Sequence, residues 1–309
     1  MKPFVTQLFF VALLLSPIAT ETVTACINEV GRSTVGETIY VGESTPEEFM
    51  KALNTRQDQK YWKGVLHDLS PTGKLPKLVD ERNNVAVAML HLGRIREAIE
   101  ILEAIEREKP GLYYSAANLG TAYELNGENA KALKWITEGT RRDPTSHNGS
   151  EWLHVKILEA KIALEKDPDW LARNSVTGIN GHANEVLLSS PTVLDHLGQT
   201  KNVEEIERAL VYQLHERLEF IRPPEAVVAS LLFDLSRILS IRHTDDHGAA
   251  VWVFAKTYGS DLMPWSLDEP ALPLLPPSYL DSPFLLPGVT AVCIAVLGGI
   301  GLILLRRRT

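Results

Sequence analysis

At 309 residues, 45% of them hydrophobic, the chain can bury a sizeable core and lacks the charge excess of a disordered segment. Its formal charge is -8; without Lys2, Glu21 and the three terminal arginines, 27 basic and 38 acidic residues remain, about -11. A body of that sign argues against nucleic acid or an anionic membrane surface as partner. The two cysteines, Cys26 and Cys293, cannot staple the fold or build a Cys-based zinc site, so packing must supply the stability.

At the N-terminus, Lys2 precedes an apolar core from Leu8 to Leu15. That core is shorter than the ~20 residues a membrane span needs and has the length of a signal-peptide h-region. Val23-Thr24-Ala25 places a small residue before Cys26, so residues 1–25 are expected to be a signal peptide; a buried N-terminal helix is the alternative. Val-Thr-Ala-Cys also resembles a bacterial lipobox, which would put a lipid on Cys26, although Thr20-Glu21-Thr22 separates it from the apolar core. Residues 26–78 read as a lead-in, irregular or β-containing as far as residue 60, with β-branched residues at Thr38-Ile39-Tyr40-Val41. Within it Thr45, Pro46, Glu47 and Glu48 spell a helix start: an N-cap, proline at N1 and acids in the first turn. Met50, Leu53, Tyr61 and Trp62 continue this as one amphipathic segment until Pro71-Thr72-Gly73 interrupts.

A period of thirty-four residues follows. Gly93 recurs as Gly127, Ala98 as Ala132, Pro110 as Pro144 and Asn84 as Asn118, while Ala86 is matched by Gly120. The first unit runs from about Val79 to Leu112 and the second from Tyr113 to Ser146. Small residues are needed at 86 or 120 and at 98 or 132 if two helix backbones cross there, and Gly127 after Asn126 marks a left-handed helix end. Leu119-Gly120, Tyr123, Gly127, Ala132 and Pro144 resemble the tetratricopeptide consensus, whose repeat is a 34-residue helix-turn-helix unit. The first unit departs from it at Val85, Ala86 and Met89. The resemblance implies an all-α fold, a tetratricopeptide-type α-solenoid, over residues 79–166, with a further helix from Ser150 to Lys166 packing as the next helix A.

Residues 167–201 read as an insertion, rich from 170 onward in Gly, Asn, Ser and His. Residues 202–262 read as diverged repeat-like helices: Asn202 to Ile221, then a third unit with Leu235-Ser236, Gly248, Trp252 and Ala255 in the expected places. Residues 263–284, rich in proline, are expected to form a stalk. Leu285 to Leu305 is twenty-one residues without a charge, followed by Arg306-Arg307-Arg308. That is the length and flank of one transmembrane helix, with residues 306–309 as cytoplasmic tail. Together with the signal peptide this predicts a single-pass type I protein of a bacterial cell-envelope membrane, its bulk outside the cytoplasm. A buried soluble helix or a sortase-type sorting signal is the alternative for the C-terminus.

Chemical motifs are sparse. Pro71-Thr72-Gly73-Lys74 looks like the end of a phosphate loop, but Leu75 stands where Ser or Thr belongs. His243-Thr244-Asp245-Asp246-His247 offers two imidazoles and two carboxylates to a divalent ion. Its bland reading is a turn in which Asp245 or Asp246 caps the next helix. His147 and His154 near Glu151 could add to a site, but nothing in the sequence ties them together. Trp135, Trp152 and Trp252 are expected to fill space between helices.

By the tetratricopeptide resemblance, helix A of each repeat lines a concave groove. That groove would present Asn83, Asn84, Val87 and His91 from the first repeat, and Ala117, Asn118, Thr121 and Glu124 from the second. Asn84 and Asn118 could hydrogen-bond an extended peptide through both donor and acceptor. Asn83, Asn84, Val87, Asn118 and Thr121 are therefore the candidate peptide-binding residues. The expected function is a membrane-anchored protein–protein interaction scaffold that is not an enzyme, without catalytic residues, metal or cofactor. Its partner would be a protein or peptide segment of an envelope assembly. The alternatives are a metal-dependent enzyme centred on His243 and His247, or a structural component that self-associates as a homo-oligomer.

Overall fold

The computed structural model describes Val41, residues 44–179 and residues 191–259, and here eleven α-helices and one short antiparallel hairpin make a predominantly helical, all-α fold. The expected signal peptide, stalk, membrane span and tail lie outside the described residues. No helix among the described ones is long and apolar enough to cross a membrane.

Helix α1 (Pro46–Leu53) opens on the expected signal: Thr45 and Glu48 exchange side-chain-to-backbone hydrogen bonds in a capping box. The amphipathic segment that the sequence suggests is continuous divides here. Asn54 ends α1, and the Asp58 carboxylate accepts the Tyr61 amide at 2.8 Å to start α2 (Gln59–Leu69). Asp58 thus offers the backbone a new first turn in place of a continued one. The break lets the two helices serve different cores. Phe49 and Leu53 enter the core shared with the C-terminal helices, whereas Trp62 and Val65 pack on Val87 and Ala88.

The next four helices form two hairpins, α3 (Val79–His91) with α4 (Ile95–Glu108), and α5 (Tyr113–Leu125) with α6 (Asn129–Arg142). Each boundary in the second hairpin lies 34 residues beyond its counterpart in the first. Both interhelical turns close alike. Gly93 and Gly127 sit at φ 77 and 78, and the following amide returns to the helix in each case, Arg94 to Met89 at 2.8 Å and Glu128 to Tyr123 at 2.9 Å. This is a Schellman cap, which needs the left-handed conformation glycine adopts without penalty. At the crossing of α5 and α6, a Cβ on Gly120 would lie 2.6 Å from Ile136 Cδ1 and 3.0 Å from its backbone nitrogen. The small residue expected there is a steric requirement. Polar contacts between successive units recur at nearly the same spacing: Asp80 with Tyr114, Asn83 with Asn118, Glu106 with Arg142, Asn129 with Glu165 and Glu124 with Lys161.

A short turn, α7 (Ser146–Gly149), precedes α8 (Glu151–Lys166), which packs on α6 as the sequence led one to expect. The region read as an insertion is partly built into the core. Beyond a 3-10 turn at Trp170–Ala172, Val176 and Ile179 are buried, and Ser175 and Thr177 donate to the buried Asp234 at 2.8 and 2.7 Å. Strands β1 (Val193–Leu194) and β2 (Thr200–Lys201) pair across a turn held by the Asp195 carboxylate. Helix α9 (Val203–Phe220) starts on an Asn202–Glu205 capping box. Helices α10 (Ala226–Arg242) and α11 (Asp245–Gly259) form a third hairpin. Its cap is Thr244, whose hydroxyl accepts the His247 amide at 3.3 Å, in place of the expected Asp245 or Asp246; the hydroxyl precedes the helix, where it can reach the N3 amide.

Two large cores result. One joins α3, α4, α5 and α6 with Val155 and Leu158 of α8. The other joins α1, α8, α9, α10 and α11 with Val176, Ile179 and Val193. Helix α8 feeds both, and α1 rests on α11 and α9, so the two ends of the described chain meet.

Candidate functional site

Of the five residues proposed to line a peptide groove, four are buried. Asn83 and Asn118 are fully buried, Val87 is equally so, and Thr121 is 5% exposed; Asn84 is half-buried. The amides that meet are Asn83 and Asn118, Nδ2 of the latter donating to Oδ1 of the former at 3.0 Å. Val87 packs toward α2 with Trp62 and Val65. Thr121 lines a small cavity with Glu124, Leu125, His154, Glu216, Arg217, Phe220 and Ile221. The space left among them, about 20 Å³, is that of a single water.

Toward their C-terminal ends, at His91, Thr121 and Glu124, the first helices of the repeats are met by the chain itself, through α9. The His91 ring lies between Trp62 (centroids 3.7 Å apart, stacked) and Phe220 of α9 (4.5 Å), with its Nδ1 3.9 Å from Glu219. Arg217 of α9 reaches Glu124 of α5 at 3.3 Å and also bonds the side-chain oxygen of Gln213 at 2.6 Å. Gln213 in turn donates to Ser150 at 3.0 Å. One face of α9 is apolar and enters the core through Ile206, Leu210, Leu214 and Leu218. The face turned to the repeats carries Gln213, Glu216 and Arg217, all buried.

These contacts join a chain of buried ionisable groups. The Tyr113 hydroxyl and the His147 Nε2 are 2.9 Å apart, and His147 Nδ1 bonds Glu151. Glu151 Oε2 lies 3.8 Å from His154 Nδ1, and His154 Nε2 is 2.7 Å from Glu124. Lys161 closes the chain on the other Glu124 oxygen at 2.7 Å. His147 thus bridges the Tyr113 hydroxyl and the Glu151 carboxylate through its two ring nitrogens. His147 and Asn148 hold left-handed backbones, φ 51 and 56. That conformation costs a non-glycine residue about 1–3 kcal/mol and persists where surrounding bonds over-determine it.

The electrostatics divide the carboxylates into two kinds. Burial acts to raise the pKa of Glu124, but Lys161, Arg217 and His154 outweigh it and hold the group well below the usual carboxylate range. Glu151 is likewise lowered, burial being outweighed by His147, His154 and Arg217. Glu216 goes the other way. Burial pushes it up to about 7, with Glu151 adding to the rise against His147, Arg217 and a Tyr212 hydrogen bond. Glu219 is raised by burial to about 7 against the Gln57 amide, Arg56 and Arg222.

The histidines considered as metal ligands are committed elsewhere. His243 Nε2 is 2.9 Å from Glu207, while His247 bonds Thr244 through Nδ1 at 2.8 Å and the Ser44 carbonyl through Nε2 at 3.0 Å. Among the described residues no group of three or more His, Cys, Asp or Glu side chains is arranged to hold a metal ion. Trp152 and Trp252 are buried and Trp135 is half-buried against the repeat core.

Sequence reasoning named His147, Glu151 and His154 without a reason to join them, and passed over Gln213, Glu216 and Arg217. A partial signal existed. Glu151 and His154 fall at a helical spacing of three, which puts them on one face of α8, whereas His147 precedes that helix and reaches Glu151 from a left-handed turn. Three polar residues within the apolar pattern of α9 likewise mark a face turned toward something polar. Comparison of the chain with known protein families, curated proteins and solved structures gives no match.

Proposed function

We propose that this chain is a tetratricopeptide-type α-solenoid that serves as a membrane-anchored protein–protein interaction scaffold outside the cytoplasm and is not an enzyme. The observation that supports it is the 34-residue offset shared by all four helix boundaries of the two central hairpins, with the same glycine cap in each turn. Stacked hairpins of this kind build extended surfaces that hold partners by many modest contacts. Because α9 already meets this face at His91, Thr121 and Glu124, the partner class it suits best is a helix carrying polar and charged side chains, and an extended peptide suits it less. Asn84 is half-buried in α3, next in sequence to the buried Asn83.

A photo-crosslinking amino acid placed at Asn84, with Lys134 on the exposed side of α6 as the control position, tests the proposal in cells. A protein adduct formed from position 84 and absent from position 134 is the expected result. Adducts only between copies of this chain would replace the scaffold by the self-associating structural reading. Equal adducts at both positions would remove the inner face as the binding surface.

A further inference from the structure

The contact between α9 and the repeats is polar where cores are normally apolar, and it is incompletely satisfied. Glu216 Oε1, Glu151 Oε2 and Arg217 Nε are buried and meet no hydrogen-bond partner. Buried polar atoms are seldom left so. Around them α5 supplies Glu124, α7 His147, and α8 Glu151, His154 and Lys161, while α9 supplies Glu216 and Arg217 with Tyr212 beside them. One turn along, Glu219 faces His91 of α3, Arg56 and the Gln57 amide between α1 and α2, and Arg222 beyond α9. Lys161 and Arg217 are spent on Glu124, and His147 bonds Glu151. The charged partners in range of Glu216, His147 and Arg217, are shared with Glu151 and Glu124, and Glu216 stands next to Glu151. As a neutral acid it fits this place; as an anion it must be hydrated or repelled.

We propose that the interface between α9 and the repeats is a proton-operated clasp, closed while Glu216 and Glu219 are protonated and loosened when they ionise. Loosening is local. The apolar face of α9 stays in the core through Leu210, Leu214 and Leu218, whereas the face bearing Glu216, Arg217 and Phe220 parts from Thr121, Glu124 and His91 and lets water reach the carboxylates. The sign follows from linkage. Both groups have folded values of about 7, raised from 4.5, so their contribution to closure is complete below about 4.5 and is lost as pH rises through about 7. Each group sets an upper bound of roughly 300-fold on the closing equilibrium. On the scaffold reading, on which this consequence rests, the loosened form is the one that admits a partner helix.

Hydrogen exchange followed by mass spectrometry on the full chain in detergent micelles, corrected for intrinsic amide rates, reads the clasp without any partner. Protection of α9 relative to α4 should fall about 10- to 100-fold from pH 5.5 to 8.0, and Glu216→Gln/Glu219→Gln, which fixes both groups in an uncharged form, should abolish the fall. A constant ratio in the wild type, or the same fall in the double variant, overturns the clasp. Should the variant not fold, carboxyl ¹³C NMR of the wild type decides: midpoints near 7 sustain the clasp and midpoints near 4.5 overturn it. A clasp that opens while the crosslinker at Asn84 gives no partner adduct at either pH refutes the scaffold reading alone.

Discussion

Replacing Glu124 by Gln tests whether the buried charges stabilise the fold. Its two oxygens receive His154 and Arg217 on one side, at 2.7 and 3.3 Å, and Lys161 on the other at 2.7 Å. A glutamine keeps one oxygen and turns an NH2 group toward a donor, so one side loses its acceptor and all three lose the charge. Hydrogen bonds to a charged group are worth about 1.5–3 kcal/mol each, and leaving a buried charge unpaired costs about 3–5 kcal/mol. Glu124→Gln should therefore lower stability by about 3–5 kcal/mol, or roughly 6–20 °C in melting temperature for a domain of this size. Urea unfolding of the full chain, followed by far-ultraviolet circular dichroism, measures it. Glu97→Gln, which breaks an exposed pair with Arg94, serves as the control and should leave the midpoint unchanged. With Arg217→Met the pair should show a coupling of about 1–3 kcal/mol in a double-mutant cycle. A loss under about 1 kcal/mol for Glu124→Gln would mean that these charges are as well accommodated without their partner, and the account of the site would fail.

Gly120→Val should cost about 1–3 kcal/mol by forcing α5 from α6 at Ile136, read as a lower urea midpoint; an unchanged midpoint would show that the crossing can open freely. Gly64 stands in the interior of α2 with no atom near its missing Cβ, so Gly64→Ala should raise stability by about 0.5–1 kcal/mol. Gly127→Ala, at φ 78, should lower it by about 1 kcal/mol, and thermal melts that fail to show opposite signs would contradict the turn geometry. Stability should also depend on pH from both sides. The lowered Glu124 and Glu151 contribute above about pH 4.5, and that contribution is lost as pH falls through their depressed values. The raised Glu216 contributes below about 4.5 and loses up to about 3 kcal/mol as pH rises through 7. Urea midpoints from pH 3 to 8 should thus peak under mildly acidic conditions, with the alkaline limb flattened in Glu216→Gln; identical alkaline limbs in the two proteins would count against the Glu216 assignment.

What the sequence by itself determined was local. The Thr45 cap, the Gly93 and Gly127 turns and the 34-residue period depend on hydrogen bonds or packing within one hairpin or between adjacent ones, and residue type at fixed spacing is enough to specify them. The start of α9 at Asn202 is of the same kind. Only the tertiary structure decided which faces those helices bury. Arg217 meets Glu124 across 93 positions, His215 meets the Leu53 carbonyl across 162, and His247 meets the Ser44 carbonyl across 203. Such pairs exist because the chain returns α9 to the face of the first repeats and sets α1 on α11. The resemblance to open-grooved repeats therefore pointed to Asn84 and Asn118 as ligand contacts, while the packing of α3 on α5 buries Asn118 and pairs it with Asn83, and the returning α9 meets Thr121 and Glu124 further along α5. A side chain's role in this fold is set by what comes to cover it, and coverage depends on contacts far apart in the chain, which spacing within one helix does not encode.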